Sequence, residues 1–475
     1  MFDLIRRRFA GKSIVLLGFG REGQSTYTVL RKVFPDTELS IADQNDSVRD
    51  NPMLRWDKHL QFFTGPGYLE QITVFEVIIR SPGIPVWHLL TESDAQNGKG
   101  SEKLSKPGIS RDQLSSQTEL FLECYAKQVI GVTGTKGKST TSSLIQHIFK
   151  TAGRDVLLAG NIGSPVFHFI DLIKPSTTIV VELSSHQLEL LKVAPHISVL
   201  LNLYQEHLDA YESYLAYQLA KVNISRFQQP DDFIIYNADD ELVSEHMRLL
   251  LPSRQGFPFS LRNQPQPGGF VMDGYVYFAD GERVLPVWKI HQDRFLKGEH
   301  NLRNIMAAVN AAMISGIEPE LIEDGIATFK GLEHRLEYVG EYSGIHFYND
   351  SIATIPEACI EAIKAIPMVD TLVAGGFDRG IDYNGLAKFL NDSSVRNFIL
   401  VGEAGHRIME CMKPGRKQEQ RVFYINRFDD FQPIAFRETR SGHACLLSPA
   451  AASYDEFRNF EERGKRFREL VSGGM

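Results

Sequence analysis

The segment Gly131-Val132-Thr133-Gly134-Thr135-Lys136-Gly137-Lys138-Ser139-Thr140-Thr141 constrains this chain more than any other. An apolar run, Val129 to Val132, enters it as a strand would. A pattern with Leu144, Ile145, Ile148 and Phe149 on one face leaves it as a helix, and Gly153 suits that helix's end. Glycines let successive backbone N–H groups close on phosphate oxygens, and the helix N-terminus adds its positive dipole end. The lysine reaches the terminal phosphates and a hydroxyl suits Mg²⁺. Gly134, Thr135, Lys136, Gly137, Lys138, Ser139 and Thr140 are therefore the candidate contacts to a nucleoside triphosphate. The strict spacing requires glycine five residues before Gly137, where Val132 stands; Gly131 lies one residue further away. A Gly-Lys-Ser tripeptide alone is often a surface turn, and it is the flanking strand and helix that favour a nucleotide.

Strand-like runs at Thr178 to Leu183, Ile197 to Leu203 and Asp232 to Asn237 alternate with helical segments, which predicts a parallel α/β sheet covered on both faces. The first delivers Glu182-Leu183-Ser184-Ser185-His186-Gln187-Leu188 and the second Glu206-His207-Leu208-Asp209, both to the edge that carries the phosphate loop. A carboxylate and a histidine there are candidate Mg²⁺ ligands, directly or through water. Taken singly, Glu182 reads equally as a cap or surface acid and His207 as a loop histidine. The helix expected from Tyr211 to Phe227 carries Lys221, to which spacing alone assigns no role.

At the N-terminus, a strand from Ser13 to Leu17 runs into Gly18-Phe19-Gly20-Arg21-Glu22-Gly23, a helix-compatible stretch from Gln24 to Val33, and a strand, Leu39 to Asp43, that ends in an acid. This is a dinucleotide-type glycine fingerprint with Asp43 near the ribose-binding place; it also reads simply as glycines tightening a βα turn. A further strand, Phe75 to Ile79, ends in Ser81-Pro82-Gly83, a turn at the edge where open α/β sheets bind ligands. Asp94 to Gln117 is a polar connection. Gly256 to Gln292, with Gly274 to Phe278 and Val284 to Val287, suggests hairpins on a rim. Beyond Gly331 a third α/β unit has strands at Thr371 to Ala374 and Phe398 to Val401 and a helix through Phe457, Phe460 and Phe467.

With 475 residues the chain exceeds one core, and about 150 residues per domain suggests about three. A net charge of −8 argues against a nucleic-acid partner. The four cysteines are scattered, as in a reduced protein without a disulfide framework or zinc site. Arg6 to Arg8 precede an apolar run too short for a signal peptide, and no stretch reaches a membrane span of about 20 residues. The expectation is a cytoplasmic protein.

These motifs, with Asn161-Ile162-Gly163, His300 to Asn304, His334-Arg335, Asn349 to Thr354 and Leu447 to Phe460, resemble those of the Mur ligases over nearly the whole chain. The resemblance implies a monomer of three domains. Residues 1–116 form a Rossmann-like domain for the UDP-substrate, 117–331 a P-loop ATPase-like domain for ATP, and 332–475 a Rossmann-like domain for the incoming amino acid. Within the family the pattern is nearest the members that join D-glutamate to UDP-N-acetylmuramoyl-L-alanine through an acyl phosphate in peptidoglycan precursor synthesis. Such chemistry relies on positioning and charge neutralisation.

Carried over residue by residue, the resemblance implies that Lys138, His207 and Lys221 are catalytic, and that Asn304, Arg335 and Asp350 join the loop in holding ATP. Ser139, Glu182 and His207 would ligate Mg²⁺, with Lys221 if it is carbamylated, since an anionic carbamate offers oxygen atoms. Gly18, Phe19, Gly20, Arg21, Asp43, Ser81, Pro82, Gly83 and Asn161 would hold the UDP-substrate. Thr354, Arg379, Ser453, Tyr454 and Phe460 would form the D-glutamate pocket, Arg379 pairing bidentately with a carboxylate. Two departures stand out: Ile352 where the family usually has lysine, and Glu206 for the usual aspartate.

Three rival readings remain open. A folylpolyglutamate-type or other Mur-type ligase is one, but the former lacks the N-terminal fingerprint domain. An NAD dehydrogenase leaves the phosphate loop unexplained, and a non-catalytic relative rests on Ile352 alone.

Overall fold

The computed structural model describes residues 1–90, 108–162, 164–206, 210–251, 254–291, 295–296, 298–366 and 368–473. Gly163, His207, Leu208, Asp209 and most of the expected connection after Asp94 lie outside them. Among the described residues the strands form three sheets. The first has order β3-β2-β1-β4-β5, all parallel, built from β1 (Ile14–Leu17), β2 (Leu39–Asp43), β3 (Leu60–Thr64), β4 (Val77–Arg80) and β5 (Leu114–Ser115).

The second sheet is built from β6 (Val129–Thr133), β7 (Val156–Gly160), β8 (Thr178–Glu182), β9 (Ile197–Leu200), β10 (Phe233–Asn237), β11 (Gln255–Ser260), β12 (Gly268–Met272), β13 (Tyr275–Ala279) and β14 (Val284–Lys289). Its order is β14-β13-β12-β11-β10-β9-β6-β8-β7. Only β13 and β14 run antiparallel to their neighbours. The third sheet contains β15 (Glu337–Tyr342), β16 (Ile345–Asn349), β17 (Val369–Gly375), β18 (Asn397–Val401), β19 (Arg421–Ile425) and β20 (Ala444–Leu447), ordered β15-β16-β20-β17-β18-β19.

The central strands are buried along their whole length, mostly by apolar residues, as a sheet covered on both faces requires: β1, β6, β9, β18 and β20 expose no residue. The segments expected as rim hairpins are β12 to β14, which extend the second sheet at one edge. Asp273 (φ 48°) and Gly274 (φ 77°) make the two-residue turn between β12 and β13 with the positive φ that a tight hairpin needs.

The chain divides into two compact units, Met1–Phe329 and Lys330–Met475. The first contains two sheets because one apolar core serves both. Leu30 and Val33 of helix Arg21–Val33 belong to the same buried cluster as Leu120 and Phe121 of helix Gln117–Tyr125 and Phe167 and Ile179 beyond it. Burying each such side chain contributes about 1.5–3 kcal/mol, so separating the sheets would expose several of these contributions together. The basic stretch Arg6 to Arg8 lies on helix Phe2–Phe9, whose Ile5 and Phe9 are buried in this core. Arg8 pairs there with Glu119 and Glu123. No helix among the described residues is long and apolar enough to cross a membrane.

The N-terminal glycine turn shows why spacing matters. A Cβ on Gly23 would stand 2.2 Å from the Gly18 carbonyl oxygen, so the helix can approach β1 this closely only without a side chain. Gly23→Ala is expected to destabilise the protein by about 1–3 kcal/mol through this overlap. Gly20→Ala, where an added methyl meets open space, should cost less than about 1 kcal/mol. Thermal melting of the two variants checks the contrast, and equal melting temperatures would contradict it.

Candidate active site

The phosphate loop leaves β6 at Thr133 and enters helix Lys138–Thr151 through Gly137, whose φ of 86° favours glycine. A Cβ there would stand 2.4 Å from Asn304 Oδ1, which puts Asn304 against the loop. The loop is braced by its neighbours. Lys136 donates its backbone N–H to Asn202 Oδ1 (2.8 Å), and Asn202 Nδ2 donates back to the Lys136 carbonyl (3.0 Å). Thr135 Oγ1 accepts from the Tyr204 N–H (2.9 Å) and bonds Tyr217 Oη (3.0 Å). Lys136 Nζ pairs with Glu206 Oε1 at 2.7 Å. Ser139 is half-buried and Thr140 buried in the first turn of the helix, where a side-chain cap is absent and backbone N–H groups point forward.

Two ammonium groups converge on one carbonyl. Lys138 Nζ donates to the carbonyls of Gly134 and Thr135, each at 3.0 Å, and Lys221 Nζ donates to Gly134 at 2.9 Å. Lys221, on helix Tyr214–Arg226, is 2% exposed and lies 4.9 Å over the Tyr217 ring. Burial, with the positive charge of Lys138 beside it, pulls its pKa down to about 7. A lysine with no role on spacing alone is thus a group that holds a large neutral fraction at neutral pH.

Glu182 closes β8 and is 1% exposed. Its Oε1 accepts from Asn161 Nδ2 at 2.8 Å, while Oε2 is buried with no hydrogen-bond partner. An orphaned carboxylate oxygen in the interior is costly unless a cation or donor arrives, so Glu182 suits a hard divalent ion. Among the described residues no three His, Cys, Asp or Glu side chains form a ready metal cluster. Mg²⁺ retains waters and phosphate oxygens, so one or two protein oxygens suffice.

Several of these groups line a cavity of about 380 Å³, with Glu182 behind its Asn161 wall. Lys138, Lys221, Tyr217 and Glu206 come from the phosphate side, and Asn161, Ser184, Ser185 and His186 from the turns after β7 and β8. Pro82 and Gly83, from the turn after β4, make the remaining wall. Of the residues expected in this unit, Pro82, Gly83, Lys138, Asn161 and Lys221 therefore line one cavity across two sheets. The glycine turn is tied to that wall, since Ser81 Oγ donates to the Gly18 carbonyl (2.8 Å). Asp43 spends its carboxylate on backbone: Oδ2 accepts from Phe19 N–H (2.8 Å) and Oδ1 from Asn45 N–H (2.9 Å). That bonding holds the turn shaped.

In the second unit, Asp350 is buried, accepting from Ser448 Oγ (2.9 Å) and the Leu336 N–H (3.1 Å); burial raises its pKa to about 7. It follows β16 beside the strained backbone of His334 (φ 62°) and Leu336 (φ 46°), which flank Arg335. Arg379 donates to the Thr354 carbonyl (3.0 Å), Ser453 is buried, Tyr454 is exposed, and Phe460 lies edge-on to His334. Ile352 donates its N–H to the His334 carbonyl (3.1 Å). What joins these segments is Arg463, fully buried and donating to Ser351 Oγ (3.1 Å) and the carbonyls of Ser351 (2.9 Å), Ala451 (3.1 Å) and Ala452 (3.1 Å). No spacing signal distinguished it from other basic residues of helix Phe460–Ser472. Ser184, Ser185 and His186 also line the cavity though no spacing assigns them a role, and their position after β8 is the signal that places them there.

A direct check follows. With lysines reductively methylated and observed by NMR in buffer purged of carbon dioxide, one resonance should titrate near 7, the value of Lys221. It should move upward in Lys138→Ala, which removes the neighbouring positive charge. An ordinary lysine titration at Lys221 would contradict this electrostatic picture.

Comparison with known proteins agrees with this architecture. The pattern of the Mur ligase middle domain matches residues 132–312, the stretch that carries the phosphate loop, Glu182, Lys221 and Asn304. Beyond that class, the chain is 36% identical over 475 residues to the UDP-N-acetylmuramoylalanine–D-glutamate ligase of Geobacillus kaustophilus, covering 98% of each. It is 32% identical over 466 residues to that of Thermoanaerobacter pseudethanolicus, covering 97% of this chain and 98% of the relative. The chain belongs to the UDP-N-acetylmuramoylalanine–D-glutamate ligase family of the Mur ligases. In fold it is similar to a UDP-N-acetylmuramate–alanine ligase, MurC, from Thermotoga maritima, with TM-score 0.54 and 16% identity over 98% of this chain and 100% of that one.

Proposed function

We propose that the chain is an ATP-dependent ligase that joins D-glutamate to UDP-N-acetylmuramoyl-L-alanine in peptidoglycan precursor synthesis, acting in the cytoplasm as a monomer. The carrying observation is the convergence of Lys138 and Lys221 on Gly134 at a cavity whose Asn161 also holds Glu182, with its orphaned oxygen. Lys138 offers a cation to a polyphosphate there, and Lys221, able to shed its proton near neutral pH, stands beside it as an amine.

On this reading a carboxylate oxygen of the UDP-substrate attacks the γ-phosphorus, and the bond to the ADP oxygen breaks. The amine nitrogen of D-glutamate then attacks the acyl carbon, phosphate leaves, and the amine loses its protons. Lys138 neutralises charge on the transferring phosphoryl group, while the backbone N–H groups of Gly134 to Thr140 orient it. Ser139, Glu182, His207 and a carbamylated Lys221 are the candidate holders of Mg²⁺, which would neutralise phosphate charge when bound. Carbamylation needs a neutral amine, whose nitrogen bonds the carbon of CO₂ and releases a proton, and the depressed pKa of Lys221 supplies it. The three sheets would serve the uridine nucleotide, ATP and D-glutamate in turn, the last through Thr354, Arg379, Ser453, Tyr454 and Phe460.

Phosphate release should require ATP, Mg²⁺, UDP-N-acetylmuramoyl-L-alanine and D-glutamate together; turnover with L-glutamate or L-lysine in place of D-glutamate would sink the assignment. Lys138→Ala should lower kcat by about a hundredfold or more, the size of one lost charge-stabilising donor. Lys221→Ala should lose most activity and regain part of it with acetate or formate, small anions able to stand where the carbamate would. Full activity of either variant without additive would contradict its assigned role.

A further inference from the structure

Arg80, the last residue of β4, has no role in the reaction as described, yet its side chain is 1% exposed. It donates to the Ile84 carbonyl within its own turn and, through Nη2, to the His186 carbonyl at 2.6 Å. Glu189 Oε2 lies 3.4 Å from Nη1, and this carboxylate also faces Arg111 and accepts from the Val86 N–H. Burial pushes Glu189 up to about 7, Arg80 opposing that rise. Close by, Gln187 Nε2 donates to Glu22 Oε1 at 2.5 Å. Arg80 therefore fastens the turn after β4 to the turn after β8.

Both segments line the cavity, Pro82 and Gly83 from one and Ser184 to His186 from the other. A buried guanidinium that gives its two Nη groups to carbonyls and leaves its Nε without a partner is an expensive way to hold two loops, because packing alone would do so without desolvating a charge. Its planar fork does what apolar packing does not, setting the separation and direction of the Ile84 carbonyl in the turn after β4 and the His186 carbonyl in the short helix Ser185–Leu188.

We propose that Arg80 is a positioning residue for the carboxylate-bearing sugar-nucleotide substrate, fixing the Ser81–Gly83 wall of the cavity at the distance from the Ser184–His186 wall that this substrate requires. The proposal rests on the reading that this cavity takes the UDP-linked substrate. It acts through Ile84 and His186; the phosphate loop has braces of its own in Asn202, Tyr204 and Tyr217 and is linked to His186 at second hand, through Tyr217 and Tyr211.

The test is steady-state kinetics of the full chain as Arg80→Lys and Glu189→Gln, each substrate varied in turn, with melting temperatures recorded. Lysine keeps the charge but cannot bridge both carbonyls, and glutamine keeps the size of Glu189 while removing its charge. Arg80→Lys should raise KM for UDP-N-acetylmuramoyl-L-alanine by about tenfold or more, the equivalent of one charged hydrogen bond. KM for ATP should stay within about twofold, and Glu189→Gln should show the same selectivity with a smaller effect. An unchanged KM for the UDP-substrate in a folded Arg80→Lys protein overturns the proposal. So does an equal rise in all three KM values, or a loss of kcat alone that follows a lowered melting temperature, since a merely structural role would produce either. Wild-type protein inactive in the four-component assay would instead overturn the functional reading, and this proposal with it.

Discussion

The Gly134 carbonyl is the interaction on which the site depends. It accepts from Lys138 and Lys221 together, an arrangement that two like charges would abandon in water. It persists because Lys221 is buried on a helix packed under the loop and because glycine at φ 155° turns that carbonyl inward; a Cβ there would stand 2.8 Å from Leu201 Cβ. The backbone thus holds the Lys138 ammonium and the Lys221 nitrogen in readiness where a phosphate chain would replace one weak acceptor with several strong ones. The depressed pKa of Lys221 follows from the same crowding and burial.

Parallel sheets make this arrangement possible. β6, β8 and β9 are neighbours, so the phosphate loop, Glu182 and Glu206 all leave the sheet at one edge. β4 of the first sheet brings its own turn to the same cavity, and a shared apolar core keeps the two sheets together. Polar groups buried between them add direction to that adhesion. Gln117 Nε2 donates to the Glu22 carbonyl (3.1 Å), Ser25 Oγ (2.7 Å) and Thr26 Oγ1 (2.8 Å), Gln187 reaches Glu22, and Arg80 reaches His186. Apolar packing resists separation, whereas these bonds resist sliding, because each has a geometry to lose.

The second unit uses the same device. Arg463 has no carboxylate hydrogen-bonded to it and is satisfied by a hydroxyl and three carbonyls. Burial lowers its pKa to about 10, which leaves it charged at neutral pH. A charge held this way freezes the segments 351–354 and 451–454 in one arrangement, which is what a small-ligand pocket needs from its support.

The alternation of apolar runs and glycine turns was enough to predict parallel sheets, the edge where chemistry gathers, and the loop that receives phosphate, because these follow from local spacing and backbone geometry. Family resemblance extended that to individual residues such as Lys221, which spacing left as an ordinary helical lysine. Only the tertiary structure decided which side chains lose their water. Lys221 titrating near 7, the unpartnered oxygen of Glu182, and the buried clamps Arg80 and Arg463 depend on neighbours as distant in sequence as Gly134, Asn161, His186 and Ser351. Desolvation is a property of the assembled interior, so no local pattern of residues reports it.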